Sequence, residues 1–154
     1  MIAQEIDRSY TASVSNAFIP GELATAASRK GPADIMPMGP VIMGIDVARF
    51  GNDKTVFTFR QGRVLLRQVT MGKLDTVDVA GRAKDEIRAQ LGDVQQIAVD
   101  TIGIGSGVAD MLRRDFGDMV VDVNSALRVD DGQNYNLRAR MWRDMREWLK
   151  AGAS

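Results

Sequence analysis

Apolar residues in this chain gather in short runs, and the period within those runs changes along the sequence. From Val41 to Val47 the chain is apolar apart from Asp46, as expected of a central strand covered on both faces. Thr55–Phe59 and Arg63–Val69 are two further strand-like runs, and the short polar Arg60-Gln61-Gly62 between them predicts a hairpin. The period then lengthens. Thr76, Ala80, Ala83, Ile87 and Leu91 recur at three- and four-residue steps behind Asp75, a capping residue, and Gly92 closes the predicted helix. A fourth strand runs from Gln95 to Asp100. Ser106 is placed to cap a second helix carrying Val108, Met111, Leu112 and Phe116, which Gly117 stops. Met119–Val123 is a fifth strand, and the polar stretch from Asn124 to Asn134 leads to a last helix. That helix has Leu137, Met141, Met145, Trp148 and Leu149 on one face.

Three strands, helix, strand, helix, strand, helix is an α/β order with a definite topology. Hairpins make the first three strands an antiparallel meander, and strands that follow helices return parallel through right-handed crossovers. The order resembles that of ribonuclease H-like folds, a mixed sheet in the order 3-2-1-4-5 with flanking helices. The fourth strand then lies beside the first, and Asp46 and Asp100, each at the C-terminal end of its strand, meet at one edge of the sheet. An unpaired carboxylate costs several kcal/mol to bury, so an aspartate at that place needs a cation or a hydrogen-bond network. Residues 1–38 hold three of the four prolines and no sustained periodicity, although Ile19–Ala27 has the composition to start a short helix. They read as an arm or linker, extended against the domain or mobile, and residues 39–154 read as the domain.

Composition narrows the chemistry. With no cysteine and no histidine, disulfides, thiolate nucleophiles, zinc sites built from those residues and a Ser-His-Asp triad are excluded. Carboxylates and hard cations remain, and Mg²⁺ or Mn²⁺ suits an all-oxygen site that leaves positions open for phosphate and water. Twenty basic residues balance twenty acidic ones, so any contact with a polyanion must be local. No apolar run approaches the roughly 20 residues that span a bilayer, and Met1–Arg8 lacks a secretory start; a cytoplasmic location without membrane follows.

Each candidate residue also has a plainer reading. Asp46 can cap a turn and Asp53 can open a hairpin. The turn Asp100-Thr101-Ile102-Gly103-Ile104-Gly105-Ser106 either offers backbone N–H groups to a phosphate, through Gly103, Gly105 and Ser106, or lets helix and strand pack closely. Its spacing is not the dinucleotide fingerprint, and no P-loop motif is present. On the last helix Arg138, Arg140, Arg143, Arg146 and Lys150 either touch a nucleic-acid backbone or form a solvated face, with Arg143 and Glu147 spaced to pair. Trp142 and Trp148 read as packing residues.

Taken in order, Gly44-Ile45-Asp46 through Asp53-Lys54-Thr55, Ile97 through Gly105, and Tyr135 through Trp142 resemble the C-terminal nuclease part of phage terminase large subunits, the DNA-packaging motor proteins. The segment Asn16–Pro20 resembles the junction between the ATPase and nuclease parts of that family. The resemblance implies a two-metal Mg²⁺ or Mn²⁺ site with Asp46 and Asp100 as catalytic ligands and Asp53 as an auxiliary acid. Independently of the resemblance, Arg138 and Arg143 of the last helix are the residues read as candidates for contact with a DNA backbone. The resemblance also implies double-stranded DNA as substrate, the portal protein and small terminase subunit as partners, and the host bacterial cytoplasm as location. Two departures stand out: Arg140 occupies a place where the family has an acidic residue, and the family's third catalytic aspartate lies beyond Ser154. A truncated domain that cuts DNA poorly is the expectation. Two other classes fit parts of the pattern: an actin-like or sugar-kinase-like nucleotide-binding lobe, which needs a second large lobe, and a non-catalytic assembly module.

Overall fold

The computed structural model describes residues 17–31, 33–48, 53–72, 74–90 and 94–152. The first 16 residues of the predicted arm, the loop from Arg49 to Asn52, and the helix end expected at Leu91 and Gly92 lie outside the described residues. Five strands, β1 (Val41–Asp46), β2 (Thr55–Gln61), β3 (Val64–Met71), β4 (Val94–Asp100) and β5 (Val120–Val123), form one mixed sheet in the order β3-β2-β1-β4-β5. β1 pairs antiparallel with β2, and β2 with β3; β1–β4 and β4–β5 are parallel. This is the ribonuclease H-like sheet. Among the described residues four α-helices flank it: α1 (Gly21–Ser28), α2 (Thr76–Ala89), α3 (Gly105–Phe116) and α4 (Leu137–Lys150).

One face of the sheet carries the core. Val41, Met43, Ile45, Phe57, Phe59, Ile97 and Val99 pack there against Val79, Ala80, Ala83 and Ile87 of α2 and Val108, Ala109 and Leu112 of α3. Phe57 and Phe59 are wholly buried, so truncating either costs about 3–5 kcal/mol. β1 is not equally covered on both faces: Ile42 and Gly44, on its other side, are only half-buried, because α4 spans that face loosely. No residue of α4 is buried, and its apolar Met141 and Met145 remain 45% exposed.

Local chemistry accounts for the element ends. Asp75 caps α2 by accepting from the Asp78 N–H at 2.8 Å, as its position predicts. Gly117 ends α3 at φ 53°, a left-handed conformation that suits glycine. Asn136 caps α4 by accepting from the Ala139 N–H at 2.9 Å. The β2–β3 turn lies at Gly62-Arg63, shifted from the expected Arg60-Gln61-Gly62 because β2 keeps pairing through Gln61. Gly62 is at φ 56°, and a Cβ there would fall 2.3 Å from the Met38 carbonyl oxygen, so the end of the arm presses on this turn. Gln61 Nε2 donates to the Gly39 carbonyl at 2.9 Å across the same contact.

The arm is helical where Ile19–Ala27 suggested it, in α1, which packs on α4. Arg146 stacks on Phe18 with its guanidinium 4.4 Å from the ring centre. Just past the C-terminal end of α4 the carbonyls accept from cations, Ala151 from Arg63 Nη1 at 2.6 Å and Gly152 from Lys30 Nζ at 3.5 Å. Positive charge there complements the helix dipole. One buried carboxylate, Glu86, ties α2 to the sheet through Arg67 of β3 and also pairs with Arg82 of its own helix, each at 2.7 Å.

Candidate active site

Parallel pairing brings Asp46 and Asp100 together. Met43 stands opposite Ile97 and Ile45 opposite Val99, so the register carried one residue further sets Asp46 beside Asp100 at the C-terminal ends of the two central strands. Because Ile45 and Val99 point into the core, both aspartates project from the opposite face. Asp46 is exposed and Asp100 half-buried, so neither is a core residue. Neighbouring strands lie about 4.8 Å apart, which puts two carboxylates within reach of one cation that would relieve their repulsion.

The surroundings hold the pair in place. Asp100 Oδ1 accepts from the Ile102 N–H at 3.0 Å, a short-range hydrogen bond that orients the carboxylate. Thr101 donates its N–H to the Val123 carbonyl at 3.1 Å, extending the pairing of β4 with β5 past the aspartate. Beyond Asp46, the Ala48 N–H donates to Thr55 Oγ1 at 3.1 Å, and Thr55 is buried, so the loop after β1 is fastened to the start of β2. Asp53 is exposed and lies two residues before β2, at the same end of the sheet as Asp46 and Asp100.

The glycine-rich turn brings α3 onto the end of β4. A Cβ on Gly105 would stand 1.8 Å from the Asp100 carbonyl oxygen, so only glycine fits there, and Gly103 is at φ 76°. Close packing therefore explains Gly105 without reference to any ligand. Ser106 is not the cap expected of it. The helix begins one residue earlier, at Gly105, and the Ser106 hydroxyl donates back to the Gly103 carbonyl at 3.2 Å.

The basic residues of α4 part company. Arg138 lies with Asp100, Ser125, Met141, Trp142 and Met145 around a cavity of about 430 Å³. Arg143 lies instead in a cavity of about 750 Å³ with Phe18, Ile19, Trp142 and Arg146. There it bonds the Gln133 side chain and approaches Asp144 at 3.6 Å and Asp131 at 3.9 Å. The predicted Arg143–Glu147 pair does not form, because Glu147 is taken by Lys150 at 2.9 Å and Arg146 at 3.2 Å. Lys150 also holds the Glu147 carboxyl below the usual carboxylate range. Trp142, read as a packing residue, is 57% exposed.

Ser125 is the residue that sequence reasoning passed over. It is buried, and its Oγ accepts from Arg138 Nε at 3.4 Å and Nη2 at 3.1 Å. A serine in a polar loop gives no local signal of such a contact. Among the described residues no three acidic side chains form a group suited to hold a metal. The acidic side chains at this end of the sheet are those of Asp46 and Asp100, with Asp53 two residues before β2. Their all-oxygen chemistry fits Mg²⁺ or Mn²⁺.

No protein-family model matches the chain, and no curated protein does. Solved structures do. A mutant nuclease domain of the large terminase subunit gp2 of bacterial virus Sf6, determined with manganese and beta-thujaplicinol, superposes with a TM-score of 0.72 at 19% identity. The nuclease domain of the same subunit gives 0.70 at 18%, and a mutant determined with calcium gives 0.68 at 18%. In each case the match covers 88% of this chain and 65% of the other. The chain thus has the ribonuclease H-like fold of a terminase nuclease domain, and it spans about two thirds of those domains.

Proposed function

We propose that this chain is the nuclease part of a viral DNA-packaging terminase large subunit, and that its site hydrolyses phosphodiester bonds of double-stranded DNA with Mg²⁺ or Mn²⁺. The observation that carries the reading is the side-by-side position of Asp46 and Asp100 on one face of the sheet, at the C-terminal ends of β1 and β4. The fold shared with terminase nuclease domains supports it.

Asp46 and Asp100 would be the ligands that hold the cations, with Asp53 supplying a further acidic oxygen from the adjoining loop. When bound, the metal would lower the pKa of a water and stabilise charge on the leaving oxygen. The hydrogen bond from the Ile102 N–H fixes the Asp100 carboxylate, so ordering it on binding costs little. The residues of the Gly103–Ser106 turn lie at the same sheet end and would contribute backbone dipoles near the phosphate. With only the two aligned carboxylates found among the described residues, the site would bind the ions weakly and cut slowly, because two carboxylates offer fewer charges than a three-acid site.

Residues 1–38 would form the arm leading into the domain. The portal protein and small terminase subunit would be its partners, and the host bacterial cytoplasm its location. Calorimetric titration with Mn²⁺ tests the site: the parent chain binds, and Asp46→Asn and Asp100→Asn each weaken binding at least tenfold. Unchanged affinity in either variant would remove the metal site.

A further inference from the structure

Of the four arginines of α4, three are paired with carboxylates. Arg140 pairs with Asp144 at 3.6 Å, Arg143 reaches Asp144 and Asp131, and Arg146 pairs with Glu147 at 3.2 Å. Arg138 has no carboxylate within 4 Å among the described residues. Its charge is left free, yet its position is fixed. The buried Ser125 grips it twice, the Ser125 carbonyl accepting from the Arg138 N–H at 2.9 Å and the hydroxyl accepting from Nε and Nη2. These bonds occupy the Nε and Nη2 edge of the guanidinium, and Arg138 and Asp100 line the same cavity. Met141, Trp142 and Met145 give that cavity apolar walls.

We propose that Arg138 binds a phosphate of the DNA backbone beside the Asp46–Asp100 site, with Ser125 as a positioning residue that holds the guanidinium ready. The inference deepens the nuclease reading and rests on it. A guanidinium is suited to the task because its planar fork matches phosphate oxygens, and one already held by hydrogen bonds loses little freedom on binding. Arg140, Arg143 and Arg146, each engaged with a carboxylate, would add little to DNA affinity.

Fluorescence anisotropy of a labelled 30-base-pair duplex, with the full 154-residue chain and no divalent metal, tests this over a range of salt concentrations. Arg138→Gln should weaken binding about tenfold and reduce the log–log salt slope by about 0.9, the signature of one lost phosphate contact. Arg138→Lys should keep the slope while losing part of the affinity. Ser125→Ala should also keep the slope, since the charge remains, and weaken binding about threefold. Arg140→Gln and Arg146→Gln should stay within twofold of the parent. Thermal melts by circular dichroism establish that each variant is folded. An unchanged slope in Arg138→Gln, or an equal loss in Arg140→Gln, would overturn the assignment, and a parent chain that does not bind duplex would overturn it together with the nuclease reading. Failure of Mn²⁺ binding with the Arg138 effect intact would sink the metal site alone.

Discussion

Replacing Gly105 with alanine puts the junction between β4 and α3 under direct test. Alanine in place of glycine inside a helix ordinarily stabilises by up to about 1 kcal/mol. At Gly105 the added Cβ would lie 1.8 Å from the Asp100 carbonyl oxygen, a contact that side chains do not make below about 3.0 Å. The strand end and the helix start must separate by more than about 1 Å, and both belong to the packed core, where overpacking costs about 1–3 kcal/mol. The upper end applies because the obstacle is backbone, which leaves a net loss of about 2 kcal/mol. For a chain of this size that lowers the melting temperature by roughly 4–8 °C. Gly81 and Gly107 lie in α2 and α3 with nothing within 4 Å of an added Cβ, so their alanine variants should hold or raise the melting temperature. Thermal denaturation followed by circular dichroism reads all three. Because the displaced backbone is that of Asp100, Gly105→Ala should also weaken Mn²⁺ binding, which the other two leave alone. A Gly105→Ala variant as stable as the parent would refute the claim that α3 presses on the end of β4.

Glu86→Ala removes the buried carboxylate that Arg67 and Arg82 share and should cost about 1–2 kcal/mol in urea unfolding, the figure reduced because both arginines are partly exposed; a loss no larger than that of Arg82→Ala would show that Arg67 is idle. Asp131 accepts from the Asn134 side chain and from the Gln133 and Asn134 N–H groups, which lower its pKa to about 2. Being depressed in the folded chain, it contributes stability above its ordinary value near 3.8 that fades as pH falls through about 2. Carboxyl titration by NMR should find its midpoint there, and Asn134→Ala should move it back upward. Incubated with supercoiled plasmid and Mn²⁺, the chain should nick slowly, and Asp46→Asn and Asp100→Asn should abolish what remains; robust cleavage would mean that a further acidic residue completes the site.

Much of this molecule is written in local patterns. The short apolar runs of β1 and β2, the three-and-four period of α2 and the Asp75 cap depend on residues a few positions apart, so they could be read directly from the chain. The neighbouring places of β1 and β4 were also legible, because the order of elements resembles that of ribonuclease H-like folds, in which the fourth strand lies beside the first. With that, the ends carrying Asp46 and Asp100 had to meet. What stayed hidden depends on segments meeting at distances no local period encodes. The four arginines of α4 look alike in sequence, and only the fold gives three of them carboxylates and places Arg138 on Ser125, 13 positions away. Ser106 was a plausible cap by composition, but contact with the end of β4 started the helix at Gly105 instead. The apolar face of α4 predicted burial, yet Met141 and Met145 stay half in solvent. Sequence periodicity determines which side of a helix is apolar; how closely that side is covered is decided by how the rest of the chain packs beneath it.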